Sequence, residues 1–201
     1  MFKGLIINIV NELYKSGLIT YDNKEIYEFG IEATLLKFIH VLTMIIVGIF
    51  FGLVPQTILF IICYSAIRTY AGGIHAKTRV GCFIISLLMI ILVLGIVKIC
   101  PSEIIKPLSL ILMLFSVVII LWLAPEDNPN KPLDADEIKH YKKIVNRLII
   151  IEITGFIILW IANLQIYSLV ISLSSISVSI TLILRQLQKK HINISFQKVD
   201  R

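Results

Sequence analysis

Long apolar runs with almost no charge limit what this chain can fold into more than any other feature. Val41–Val54, Cys82–Val97, Pro107–Pro125, Ile153–Leu164 and Tyr167–Leu184 are the clearest. A helix needs about 20 mostly apolar residues to cross the hydrocarbon core of a bilayer. In lipid every backbone N–H and C=O must be paired internally, which a helix achieves by itself. Composition points the same way: 57% of the 201 residues are hydrophobic and 16% charged. A soluble domain has about half and a quarter, respectively. The chain is expected to be an all-α, polytopic membrane protein, and a water-soluble core is a poor alternative.

Six membrane helices are expected, at about 33–53, 56–71, 82–99, 104–124, 147–163 and 167–186. Pro55, the Cys100–Pro101 pair and the Asn163–Tyr167 stretch supply the short turns between neighbours. The second segment is the weakest, because few apolar residues separate Pro55 from Arg68. Residues 2–16 read as an amphipathic helix with Leu5, Ile6, Ile9, Val10 and Leu13 on one face. Gly17 is its expected stop. No cleavable signal peptide is expected, because Asn8, Asn11 and Glu12 interrupt the first apolar stretch. The whole of 1–201 reads as one integral membrane domain. It comprises an amphipathic cytoplasmic segment (1–30), a six-helix bundle (31–188) and a cytoplasmic tail (189–201).

Orientation follows from Lys and Arg, which accumulate in cytoplasmic loops. Six crossings put all of the 19 except Lys98 and Lys106 on one side. Both termini and both long loops are therefore expected in the cytoplasm, at the cell membrane. The net charge of +6 is explained by this asymmetry and needs no nucleic-acid partner.

Cys63, Cys82 and Cys100 are an odd set and do not read as a disulfide framework. No zinc spacing such as C-x-x-C or H-E-x-x-H is present, and neither metal nor cofactor is expected. The stretch Arg68-Thr-Tyr-Ala-Gly-Gly-Ile-His75-Ala-Lys-Thr-Arg-Val-Gly-Cys82 is a loop leading into the third segment. On one continuous helix His75 and Cys82 would lie about 10 Å apart, at about 1.5 Å per residue. Their cooperation requires the chain to turn, which Gly72, Gly73 and Gly81 permit. Thr78 is a candidate N-cap. Cys82 in the first turn would then feel the positive end of the helix dipole, which favours a thiolate. A nearby imidazole would accept the thiol proton and later protonate a leaving amine. By composition alone, a lone cysteine at a helix end is more often a small packing residue.

The same stretch resembles the signature of the accessory gene regulator B (AgrB) family, membrane endopeptidases of Gram-positive peptide quorum sensing. Arg68, the Gly72–Gly73 pair, His75, Ala76, Thr78 and Cys82 carry the resemblance. Asn130-Lys131-Pro132-Leu133 matches the family's N-K-P element in the second cytoplasmic loop. The resemblance implies a thiol protease that removes the C-terminal part of an AgrD-like propeptide. Cys82 would be the nucleophile and His75 the general base, then acid. An acyl-enzyme thioester would be released as a cyclic thiolactone or lactone, a peptide pheromone. Arg68, Gly72, Gly73, Thr78 and Lys131 would support the site or bind substrate. A homodimer in the lipid bilayer is also implied. The competing expectation is a small transporter or exporter of a peptide, which would not depend on Cys82.

Other polar residues have structural expectations. Glu152 is expected to pair with Arg147 or to be solvated, with Arg68 or His75 as the less ordinary partner. The serines 172, 174, 175, 177 and 179 are expected to let helices pack closely, within this chain or with a second copy.

Overall fold

The computed structural model describes residues 3–74, 78–126 and 133–199. Its elements are the helices α1 (Lys3–Lys15), α2 (Lys24–Phe51), α3 (Val54–Ala71), α4 (Arg79–Ile99), α5 (Ser102–Leu123), α6 (Ala135–Ile161) and α7 (Gln165–Val199). A short 3₁₀ turn at Tyr21–Asn23 precedes α2. Among the described residues there is no strand. The chain forms two compact units, 1–46 and 47–201.

Five helical stretches are long and apolar enough to cross a membrane: Tyr21–Phe51, Val80–Ile99, Ser102–Leu123, Ala135–Ile161 and Gln165–Lys190. The remaining expected segment, the second, is α3, which falls short by this measure. Its 18 residues include Gln56 and Arg68, which dilute its apolar character. Two helices begin well before their expected spans. The first span is preceded by nine further helical residues of α2, and the fifth by the polar turns of α6 from Ala135. A capping box fixes that start: Glu137 N–H donates to Asp134 Oδ1 at 2.7 Å, and Asp134 N–H to the Glu137 carboxylate at 3.3 Å.

In the first unit, α1 forms where amphipathic periodicity predicts it. Ile6 and Val10 are buried with Ile19, and Leu13 and Ile31 pack against them. Leu5 and Ile9 are exposed, so only part of the expected face is used. Gly17, at φ +71°, ends the helix. Its N–H donates to Tyr14 O and that of Leu18 to Leu13 O, the two bonds of a Schellman motif. Lys24 closes the unit by donating to Asn11 Oδ1 at 3.1 Å and lying 4.0 Å over the Tyr14 ring.

In the second unit α7 is the central helix. Its apolar window is 72% buried, against 28% or less in α4, α5 and α6. The neighbours each bury one stripe: Thr57, Phe60, Ile67 and Ala71 on α3; Ile105, Ser109, Met113, Ser116 and Ile120 on α5; Val145, Ile149, Glu152 and Phe156 on α6. These are helical spacings. The buried serines let α5 and α7 come close. Ser172 donates to Ser109 O at 2.8 Å and Ser179 to Ser116 O at 3.2 Å. Lipid is as apolar as leucine, so close packing and bonds of this kind, about 0.6 kcal/mol each, hold such helices together. The expected serine stripe is therefore used inside this chain. Both bonds advance by seven residues on each helix, so α5 and α7 run parallel, and α6 runs antiparallel to α5.

This alternation brings the C-termini of α3 and α5 to one face, beside the Thr181 level of α7, with the start of α4 following from α3 there. At the opposite face, Lys98 reaches Phe51 O at 3.4 Å and Lys106 reaches Asn163 Oδ1 at 3.1 Å. The two basic residues expected on the sparse side thus both lie at the end away from the α3–α4 turn.

Candidate active site

Cys82 is the fourth residue of α4, whose start is set by Thr78. Thr78 is extended at φ −124°, ψ 150°, and its hydroxyl accepts from Gly81 N–H at 3.0 Å. The Cys82 N–H donates to Thr78 O at 3.1 Å. Thr78 is thus the N-cap expected from sequence, and it consumes two of the amides at this helix start. The Cys82 thiol is free and half-buried. It lies in the first turn, where the dipole favours negative charge.

The other wall is the end of α3 and the turn that follows it. The Arg68 guanidinium donates to the carbonyl oxygens of Gly72 and Ile74. The Tyr64 phenol lies within electrostatic reach of both Arg68 and Cys82. Tyr64 in turn stacks on Phe60, with ring centres 5.4 Å apart. Arg68, Tyr64 and Cys82 therefore share one neighbourhood. A planar guanidinium spans two carbonyls that a point-charge ammonium would not.

Both glycines of the turn are required by their surroundings. Gly72 has φ +77° and Gly73 φ +123°, conformations that L side chains rarely adopt. A Cβ on Gly72 would lie 2.2 Å from Glu126 O, and one on Gly73 2.8 Å from both an Arg68 nitrogen and Thr181 Oγ1.

Two distant segments hold this turn. Glu126 N–H donates to Ala71 O at 2.9 Å, and Ile74 N–H donates to Thr181 O at 3.1 Å. Glu126 is buried. Its carboxylate accepts from Gln186 Nε2 at 2.6 Å and pairs with Lys189. Beneath lies a core drawn from four helices: Ile67, Ala71, Ile120, Ala124, Val145, Ile149, Val178 and Leu182. Lys142 donates to the carbonyls of Leu121 and Ala124, satisfying the end of α5.

The structure brings together Arg68, Gly72, Gly73, Thr78 and Cys82 among the expected site residues. His75 and Lys131 lie outside the described residues. Glu152 differs from its expected pairing. It is buried and accepts from Ser175 Oγ at 2.7 Å, because its face of α6 turns toward α7. Cys63 lies near Glu152 and Ser174 within the bundle. Among the described residues no three His, Cys, Asp or Glu side chains converge as a metal site would need. Sequence reasoning missed Tyr64, Glu126, Thr181 and Gln186. Tyr64 precedes Arg68 by four residues, a helical neighbour spacing that was a usable signal. The other three had no local one.

Fold and site together define a multi-pass helical membrane protein with a thiol at a helix start beside an arginine-braced glycine turn. A family model described as "AgrB: Accessory gene regulator B" matches residues 6–182, and the chain belongs to that family. The family acts in accessory gene regulator quorum sensing and is associated with peptide processing there. The chain is 27% identical over 162 residues to a putative AgrB-like protein of Clostridium perfringens strain SM101, covering 75% of each. It is 28% identical over 143 residues to one of Listeria innocua, covering 69% of this chain and 68% of the relative. Protein FsrB of Enterococcus faecalis is 26% identical over 134 residues, covering 65% of this chain and 54% of that protein. No solved structure matches.

Proposed function

We propose that this protein is a membrane cysteine endopeptidase that cleaves an AgrD-like propeptide and promotes cyclisation of the part it retains. The observation that carries the proposal is the free Cys82 thiol in the first turn of α4, beside the Arg68-braced turn that leads into His75. His75 takes the thiol proton, and the thiolate attacks the scissile carbonyl. The amide C–N bond breaks, and His75 returns the proton to the leaving amine of the C-terminal fragment. The N-terminal part remains as a thioester on Cys82. An internal thiol or hydroxyl of the peptide then attacks that thioester, closing a thiolactone or lactone and freeing Cys82. Forming a thioester from an amide is uphill, and a site that keeps water scarce protects the intermediate. The exchange that follows is nearly balanced when the peptide nucleophile is held close.

The same proposal includes six crossings, with α3 as the sixth, both termini cytoplasmic and the site at the cytoplasmic border. The α3 helix supports this by running from the Lys98 face of the bundle to the Arg68 face. The basic loop carrying Lys131 would attract an acidic propeptide tail, and a homodimer would form through lipid-facing surfaces of the bundle.

The test is reconstitution in liposomes with an AgrD-like precursor and mass analysis of products. Wild type should release the C-terminal fragment and yield a cyclic product. Cys82→Ala and His75→Ala should bind precursor but leave it whole. Cleavage undiminished in Cys82→Ala rejects Cys82 as the nucleophile, and a wild type that moves the precursor across the bilayer uncut favours export.

A further inference from the structure

The segment immediately before His75 is fixed from outside at three successive levels. The Ala71 carbonyl accepts from Glu126 N–H, Gly72 packs on the Glu126 carbonyl, and Ile74 N–H donates to Thr181 O. Thr181 belongs to the central helix, which the serine bonds and the core hold firmly. Glu126 lies just beyond the end of α5 and has no helix of its own to fix it. What fixes it is its side chain: buried, accepting from Gln186 and paired with Lys189, both on α7. A carboxylate taken out of water is retained only when it is paired and hydrogen-bonded. The ion pair and the Gln186 bond therefore tie the Glu126 side chain to α7, while its backbone meets the turn at two consecutive residues.

We propose that Glu126 is a positioning residue for the Cys82 site, acting through Ala71 and Gly72 on the approach of His75. This rests on the reading of Cys82 and His75 as the reacting pair. Only three residues separate Ile74 from Thr78 in the sequence, and His75 is the first of them. The clamp acts on the backbone of the turn and not on the thiol itself. Its loss should therefore slow the chemical step and spare precursor binding. A misplacement of about 1 Å can cost about 100-fold in rate.

The full-length chain in proteoliposomes, with Cys63 and Cys100 replaced by serine, allows a direct test. Glu126→Gln keeps an acceptor for Gln186 and loses the ion pair, Glu126→Leu loses both, and Glu126→Asp retains the charge. Iodoacetamide labelling of Cys82 at neutral pH is read beside precursor cleavage, with kcat and KM separated. We expect Glu126→Leu to lower kcat at least about tenfold, with KM changed by less than about twofold, and to slow labelling. Glu126→Gln and Lys189→Met should be intermediate, and Glu126→Asp should recover most of the rate. Should Glu126→Leu fail to insert, Glu126→Gln and Lys189→Met carry the decision. Normal kcat and labelling in those two variants, with Cys82→Ala inactive, overturn the positioning role and leave the peptidase standing. A proportionate fall in KM and kcat without rescue by aspartate also overturns it. Cleavage persisting in Cys82→Ala instead removes the reading beneath it.

Discussion

A Cβ at Gly73 would stand 2.8 Å from a guanidinium nitrogen of Arg68. The two residues thus occupy complementary space: the arginine closes over the turn only because residue 73 has no side chain. Gly73→Ala adds a clash to a φ of +123°, a region that costs a non-glycine residue about 1–3 kcal/mol. The variant should insert normally and process precursor at least about tenfold more slowly. Gly72→Ala should be at least as damaging, since its Cβ would meet the Glu126 carbonyl, which is backbone and yields less readily than a side chain. Cleavage rates of both variants in liposomes check the ordering.

Arg68→Lys tests whether charge alone suffices. The guanidinium serves the Gly72 and Ile74 carbonyls together, a two-pronged task that an ammonium on a flexible stem performs poorly. Processing by Arg68→Lys should therefore fall nearly as far as that by Arg68→Ala. Near wild-type activity of the lysine variant would mean that only positive charge matters at this position.

Thr78 sets where α4 begins and hence where Cys82 points. Thr78→Ala removes the acceptor for Gly81 N–H, a cap worth about 1 kcal/mol. Cleavage should slow and thermal stability in detergent should drop slightly. Thr78→Ser keeps the hydroxyl and should restore both, which separates the cap from any effect of side-chain bulk.

Glu152 offers a contrast. Its carboxylate accepts from Ser175, six residues before Thr181 and so about 9 Å away along α7. Glu152→Gln should retain precursor cleavage within about twofold, because an amide still accepts from the hydroxyl. Ser175→Ala should lower stability by about 1 kcal/mol, the usual scale for a lost hydrogen bond, with the same near-normal cleavage. A collapse of activity in Glu152→Gln, with insertion intact, would place this carboxylate in the mechanism after all.

The sequence by itself determined what is local. Apolar run length, helical spacing and the punctuation of Gly17, Pro55 and Pro101 gave the helices, because backbone pairing in lipid is settled within each segment. Thr78 was legible as a cap for the same reason, since it acts on Gly81 three residues away. Only the tertiary structure decided which distant groups hold the site. Glu126 reaches Ala71 across 55 residues, Thr181 reaches Ile74 across more than 100, and Glu152 finds Ser175 on another helix. Bonds of that kind leave no periodic trace along the chain. They exist because α3, α5 and α6 pack around α7, a consequence of how side chains fit between helices.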